Sequence, residues 1–208
     1  MPDPDLIAVF FLASVVLGIA PGPDNIFVLA QSALYGPRAG LTVTIGLCTG
    51  LLVHTLAVAL GVAALFQTSE WAFNTLKIVG AAYLLYLAWR AFSASRQSPE
   101  LGGYGSIGSW QLYRRGIIMN VTNPKVAIFF LAFLPQFTDP SRGVLWIQMV
   151  LLGLVFILAT ILVFGSVSLL AGTLGGWLTR SPSAQRILNG VAGVVFAGLA
   201  IRLLIGGA

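Results

Sequence analysis

Apolar and polar positions along the chain alternate on a coarse scale: long apolar blocks separated by short polar gaps. A helix needs ~20 mainly apolar residues to cross ~30 Å of hydrocarbon. Six blocks qualify, at about 6–34, 40–66, 71–92, 115–137, 144–173 and 186–205. The longest polar interruption, 93–113, is rich in Ser and Gly and separates two halves of three spans each. The pattern predicts an all-α integral membrane protein forming one transmembrane domain over 1–208. A first three-helix half covers 6–92, a loop 93–113, and a second three-helix half 114–205. No long stretch is left for a soluble domain.

Composition points the same way. Of 208 residues, 58% are hydrophobic and 8% charged, and mean hydropathy is +0.95. Soluble domains carry roughly 25% charged residues, so 11 basic and 6 acidic side chains cannot cover a water-facing surface of this size. That excludes a soluble enzyme, a disordered tail and a nucleic-acid-binding domain. The net charge of +5 sits in the gaps between blocks. The segments 35–39, 90–115 and 174–186 carry Arg38, Arg90, Arg96, Arg114, Arg115, Arg180 and Arg186. The opposite side has Lys77, Arg142 and Arg202, with Asp3, Asp5, Glu70 and Asp139. The positive-inside rule then predicts the arginine-bearing loops in the cytoplasm and both termini outside, with no nucleic-acid partner. Trp71, Trp110, Trp146 and Trp177 fall near span ends, as interfacial anchors do. The N-terminus opens on Asp3 and Asp5 with no base before Arg38, which reads as a retained first span and not a signal peptide. The single cysteine, Cys48, lies in an apolar block and offers neither a disulfide framework nor a thiolate metal site.

Two spans are interrupted in related ways. The first contains Pro21-Gly22-Pro23-Asp24-Asn25, and the fourth contains Asn120-Val121-Thr122-Asn123-Pro124-Lys125. Proline has no N–H donor and clashes with the carbonyl four residues back. Pro21 and Pro23 should release the carbonyls of Leu17 and Ile19, and Pro124 that of Asn120. Freed backbone groups at membrane depth persist only against protein or a water-filled cavity. Asp24 lies 14 residues before Arg38 and Lys125 lies 10 after Arg115. At ~1.5 Å per helical residue, both are roughly 15–20 Å from the cytoplasmic edge. A charge at that depth costs ~2.5–3.5 kcal/mol on insertion scales, so each needs a partner or a polar cavity. One acid and one base after matching breaks predict two inverted three-helix repeats, with spans 1 and 4 broken by proline and a site where they meet. Three spans per half is odd, so the halves must run in opposite senses. The bland alternative is that the prolines kink packed helices and Asp24–Lys125 is a structural ion pair.

His54 sits mid-span, where an imidazole suits a proton relay or a hydrogen bond to a neighbouring helix. Thr42, Thr44, Thr49, Thr55 and Thr160 read as packing residues, and Gly46 and Gly50 as points of close helix approach. No P-loop, HExxH, Cys/His cluster or nucleophile elbow is present, so no cofactor and no metal is expected. A membrane-embedded lipid-modifying enzyme would need clustered acids or histidines. The six acids and one His are dispersed. A passive facilitator or channel for small metabolites would respond to concentration and not to an imposed pH gradient.

Pro21-Gly22-Pro23-Asp24, then Gly80-Ala81-Ala82-Tyr83-Leu84, then Asn123-Pro124-Lys125 with the apolar run from Ala127 to Phe137, together resemble the signature of the lysine exporter (LysE-type translocator) superfamily. The nearest branch resembled is that of the homoserine/threonine exporters (RhtB-like). The resemblance covers the whole chain in length and layout. It implies proton-motive-force-driven efflux of amino acids, neutral or hydroxylated ones such as threonine or homoserine, across a prokaryotic cytoplasmic membrane. The implied partners are a small-molecule substrate, protons and membrane lipid, with homo-oligomerisation left open. Asp24 would meet the substrate ammonium and carry the proton, and Lys125 would meet the carboxylate.

Overall fold

The computed structural model describes residues 3–20, 22–68, 70–93, 108–180 and 182–205. All regular structure in them is helical. Pro21, residues 94–107 of the predicted loop, and the side chain of Trp177 lie outside the described residues.

Eight α-helices form among the described residues: α1 (Pro4–Ile19), α2 (Pro23–Tyr35), α3 (Pro37–Thr68), α4 (Glu70–Ser93), α5 (Ser109–Val121), α6 (Pro124–Ile128), α7 (Leu145–Arg180) and α8 (Pro182–Ile205). The prolines expected inside broken spans instead stand at helix starts. Pro23 opens α2 and Pro124 opens α6, where a missing N–H costs nothing because the first turn has no acceptor for it. α1 starts likewise at Pro4, with the Asp3 carboxylate accepting from Asp5 N–H at 3.0 Å. α2 ends at Gly36, whose φ of 86° suits glycine. Beyond α6 the helix widens into a π turn at Phe129–Phe133 and then tightens into a 3₁₀ turn at Leu134–Phe137.

Among the described residues, three segments are long and apolar enough to cross a membrane: Pro37–Gly61 of α3, Leu145–Ala171 of α7 and Arg186–Ile205 of α8. Two bent pairs bring the number to five: α1 with α2, bent by 65°, and α5 with Pro124–Phe137, bent by 50°. The predicted third span, 71–92, corresponds to α4, which is not among them.

α3 packs against α5 and α7, α4 against α8, α1 against α7 and α8, and α2 against α3 and α7. The close α3–α5 crossing depends on missing side chains. A Cβ on Gly46 would stand 3.0 Å from the Gly116 Cα, and one on Gly50 2.7 Å from the Asn120 Cβ. Large apolar side chains such as Leu12, Leu60, Ile78 and Ile205 are exposed, as on a lipid-facing surface. Inside are two apolar clusters. The larger gathers Phe10, Phe129, Phe130, Phe133, Phe137 and Phe156 with aliphatic neighbours, the Phe129 and Phe133 ring centroids 4.7 Å apart. The smaller joins Phe27, Val28, Val43, Leu47, Leu112, Val163 and Phe164.

Candidate functional site

Both breaks come together between these clusters. α1 ends at Ile19 and α2 begins at Pro23, with Gly22 in extended conformation before it. α5 ends at Val121, and Asn123 caps α6 by accepting from Lys125 N–H at 3.0 Å. The same asparagine reaches across and donates from Nδ2 to Asp24 Oδ2 at 2.6 Å. One side chain therefore shapes its own helix start and holds the acid of the other break.

Lys125 crosses in the other direction. Its Nζ donates to the carbonyls of Leu17 at 3.0 Å and Ala20 at 3.1 Å, at the C-terminal end of α1. The Leu17 carbonyl is the one its residue four positions on, a proline, cannot satisfy. A cation there also complements the partial negative charge of a helix C-terminus. Asn25 Nδ2 donates to the Gly18 carbonyl at 2.6 Å, so three carbonyls around the break have side-chain donors. In the second break the Asn120 carbonyl lies opposite His54 Nε2 at 3.2 Å and accepts from Asn123 N–H at 3.0 Å. A Cβ on Gly22 would stand 3.4 Å from Lys125 Nζ.

Asp24 and Lys125 thus share a site, and their charges interact, but they form no direct ion pair. Asn123 and the α1 carbonyls take the bonds that such a pair would have used. Asp24, Asn120 and Asn123 are buried, at 5%, 3% and 7% exposure. Asp24 Oδ1, Asn25 Oδ1 and Asn120 Oδ1 are buried without a hydrogen-bond partner, which leaves acceptors aimed at something other than protein. A cavity of about 20 Å³ adjoins them, lined by Asp24, Asn120, Lys125, Leu17, Thr160 and Phe164 among others. That is room for about one water molecule. Thr160, read from the sequence as a packing residue, lines this cavity. It could have been found from its spacing: Thr160, Phe164 and Ser168 share one face of α7. Of the predicted site residues, Gly22, Pro23, Asp24, Asn25, Asn120, Asn123, Pro124 and Lys125 meet at the two breaks. His54 joins through the Asn120 carbonyl and not through Asp24. Among the described residues no group of His, Cys, Asp or Glu is arranged to hold a metal ion.

Residues 15–207 match the LysE type translocator family. The chain belongs to that family. The LysE-type translocator is 34% identical to an uncharacterised membrane protein of Vibrio cholerae over 93% of this chain and 94% of the other. It is 34% identical to the homoserine/homoserine lactone efflux protein of Salmonella typhimurium, over 90% of each chain. With the leucine efflux protein of Salmonella choleraesuis it shares 29% identity, over 93% of this chain and 92% of that one. No solved structure matches it. The LysE-type translocator is a membrane protein that moves solutes and is not an enzyme.

Proposed function

We propose that this translocator is a secondary active exporter of amino acids, neutral or hydroxylated ones such as threonine or homoserine, driven by the proton motive force. Relatives named for homoserine and leucine efflux support an amino-acid cargo. The observation that carries the reading is the cross-bracing of the two breaks: Asn123 of the second holds Asp24 of the first, and Lys125 of the second holds the α1 end of the first. One acid and one base lining one small cavity match the ammonium and carboxylate of a zwitterion. Asp24 is the proton carrier, its affinity for the proton set by burial against the charge of Lys125 and changed when substrate arrives or leaves.

The packing supports six spans as two inverted halves. Broken span α1–α2 lies on α7 and broken span α5–α6 lies on α3, while the counterparts α3 and α7, and α4 and α8, pack on each other. A two-fold axis in the membrane plane produces that exchange. The arginine-bearing loops face the cytoplasm and both termini face outward.

The test is proteoliposomes loaded with labelled amino acids under an inward proton gradient, comparing the unsubstituted chain with Asp24→Asn. Gradient-stimulated release of one amino acid, lost in Asp24→Asn, is the expected result. Full gradient-driven release by Asp24→Asn removes Asp24 as carrier, and release indifferent to the gradient makes the protein a facilitator.

A further inference from the structure

A second set of buried polar groups lies two helical turns from the site. Gln31 is 1% exposed, and neither its carbonyl oxygen nor its amide nitrogen has a hydrogen-bond partner. Ser168 is fully buried and its hydroxyl also lacks one. The buried hydroxyls of Ser14, Ser32, Thr44 and Thr55 behave differently, each donating to the carbonyl four residues back. Ser168 has the same option toward Phe164 and does not use it. Room beside Ser168 comes from Gly40, where a Cβ would collide with the Ser32 hydroxyl and stand 2.6 Å from that of Ser168.

Three helices repeat one order of side chains. Along α2, Asp24 is followed by Phe27 and Val28, then Gln31. Along α7, Thr160 is followed by Phe164, then Ser168. Along α3, read backwards, Leu47 of the cavity wall is followed by Val43, then Gly40. Spacings of three and four keep each series on one helix face. The middle members belong to the smaller apolar cluster, which also contains Leu47. A polar cavity, an apolar collar and a second polar patch are thus stacked toward the Gly36 turn. Polar groups buried without partners are rare and mark a missing ligand or water.

We infer that Gln31 and Ser168 form a second station for the transported amino acid, on the Gly36 side of the Asp24–Lys125 site, with Phe27, Val28, Leu47 and Phe164 as the gate between them. The inference rests on the export reading and adds to it a path and a gate. A carboxamide offers an acceptor to an ammonium and a donor to a carboxylate, and a hydroxyl offers both. Being neutral, the station holds a zwitterion without trapping it before the charged site.

The experiment places single cysteines in a Cys48→Ser background in reconstituted vesicles and applies a membrane-impermeant thiol reagent from either side. Tyr35→Cys, next to the Gly36 turn, and Ser141→Cys, in the linker before α7, are both exposed and report the two sides. Ser168→Cys is expected to react from the Tyr35 side alone. At a homoserine or threonine concentration about ten times the dissociation constant, its reaction slows about tenfold, as mass action requires, while that of Tyr35→Cys is unchanged. Gln31→Cys, probed identically, replaces Ser168→Cys if the latter does not assemble. Reaction from the Ser141 side, no reaction from either side while both controls react, or reaction unaffected by any amino acid the vesicles transport overturns the station. Absence of amino-acid transport by the unsubstituted chain overturns the export reading instead, and the side from which Ser168→Cys reacts still decides the path.

Discussion

Lys125 Nζ stands 3.0 Å from the carbonyl oxygen of Leu17, 108 positions earlier in the chain. This contact ties one half of the molecule to the other at its most polar point. Lys125→Met leaves the Leu17 and Ala20 carbonyls without their donor, and each orphaned buried acceptor costs about 1–3 kcal/mol. The expected result is a lower melting temperature in detergent together with lost transport. Unchanged melting would mean that water replaces the ammonium at both carbonyls.

Asn123 does two jobs, so its variants should separate them. Asn123→Asp keeps an acceptor for the Lys125 N–H but removes the donor to Asp24 and sets two carboxyl groups face to face. Like charges that close favour protonation of one of them. Folding should survive and proton-coupled transport should fall. Asn123→Ala loses the cap as well, at about 1 kcal/mol, and should also lower the melting temperature. Equal melting temperatures for the two variants would contradict the capping role.

The α3–α5 crossing predicts a steep dependence on side-chain size. A Cβ at Gly46 runs into the Tyr113 carbonyl and the Gly116 backbone, neither of which can rotate away. Gly46→Val should cost about 3 kcal/mol or more, at the upper end of overpacking penalties. Gly61→Val, where a Cβ meets nothing within 4 Å, is the control. Similar expression and melting for both would place the crossing elsewhere.

Outside the spanning helices, Asp139 accepts from the Ser141 hydroxyl at 2.6 Å and N–H at 2.8 Å, with Arg142 at 3.5 Å. These bonds hold its carboxyl below the usual carboxylate range. A group with a lowered folded-state value stabilises at neutral pH, and loses that contribution as pH falls below about 4 and through that value. The drop in melting temperature between neutral and acidic pH should be smaller in Asp139→Asn than in the unsubstituted chain. An identical drop would show that the linker does not respond to this carboxylate.

Much of the site was legible because its signals are expensive ones. A proline, an acid and a base at membrane depth each carry a cost that only a partner or cavity offsets, so Pro23, Asp24, Pro124 and Lys125 stand out in the bare sequence. Even the release of the Asn120 carbonyl could be read from Pro124. The choice of partners could not. An acid and a base at equal depth suggest each other, whereas the crossing of the breaks gives Lys125 to two carbonyls and Asp24 to Asn123. That depends on the angle between chain segments, which local pattern does not encode. Gln31, Thr160 and Ser168 were hidden for a different reason: small or neutral polar residues are common helix-packing elements, and only their burial without partners sets them apart.

The cavity beside Asp24 holds about 20 Å³, too little for any amino acid, and this bears on how tightly cargo can be held. On the proposed reading a substrate cannot simply be added. Its carboxylate must replace Leu17 and Ala20 as acceptor for Lys125, and its ammonium must share Asp24 with Asn123, which already donates to one of the two carboxylate oxygens. The protein's own groups impersonate the cargo when none is present. Each bond that Lys125 gains on loading is then matched by one surrendered, and affinity on that side of the site is a difference between two satisfied states. A carrier built this way binds loosely and lets go readily, a property that suits one-way expulsion better than capture.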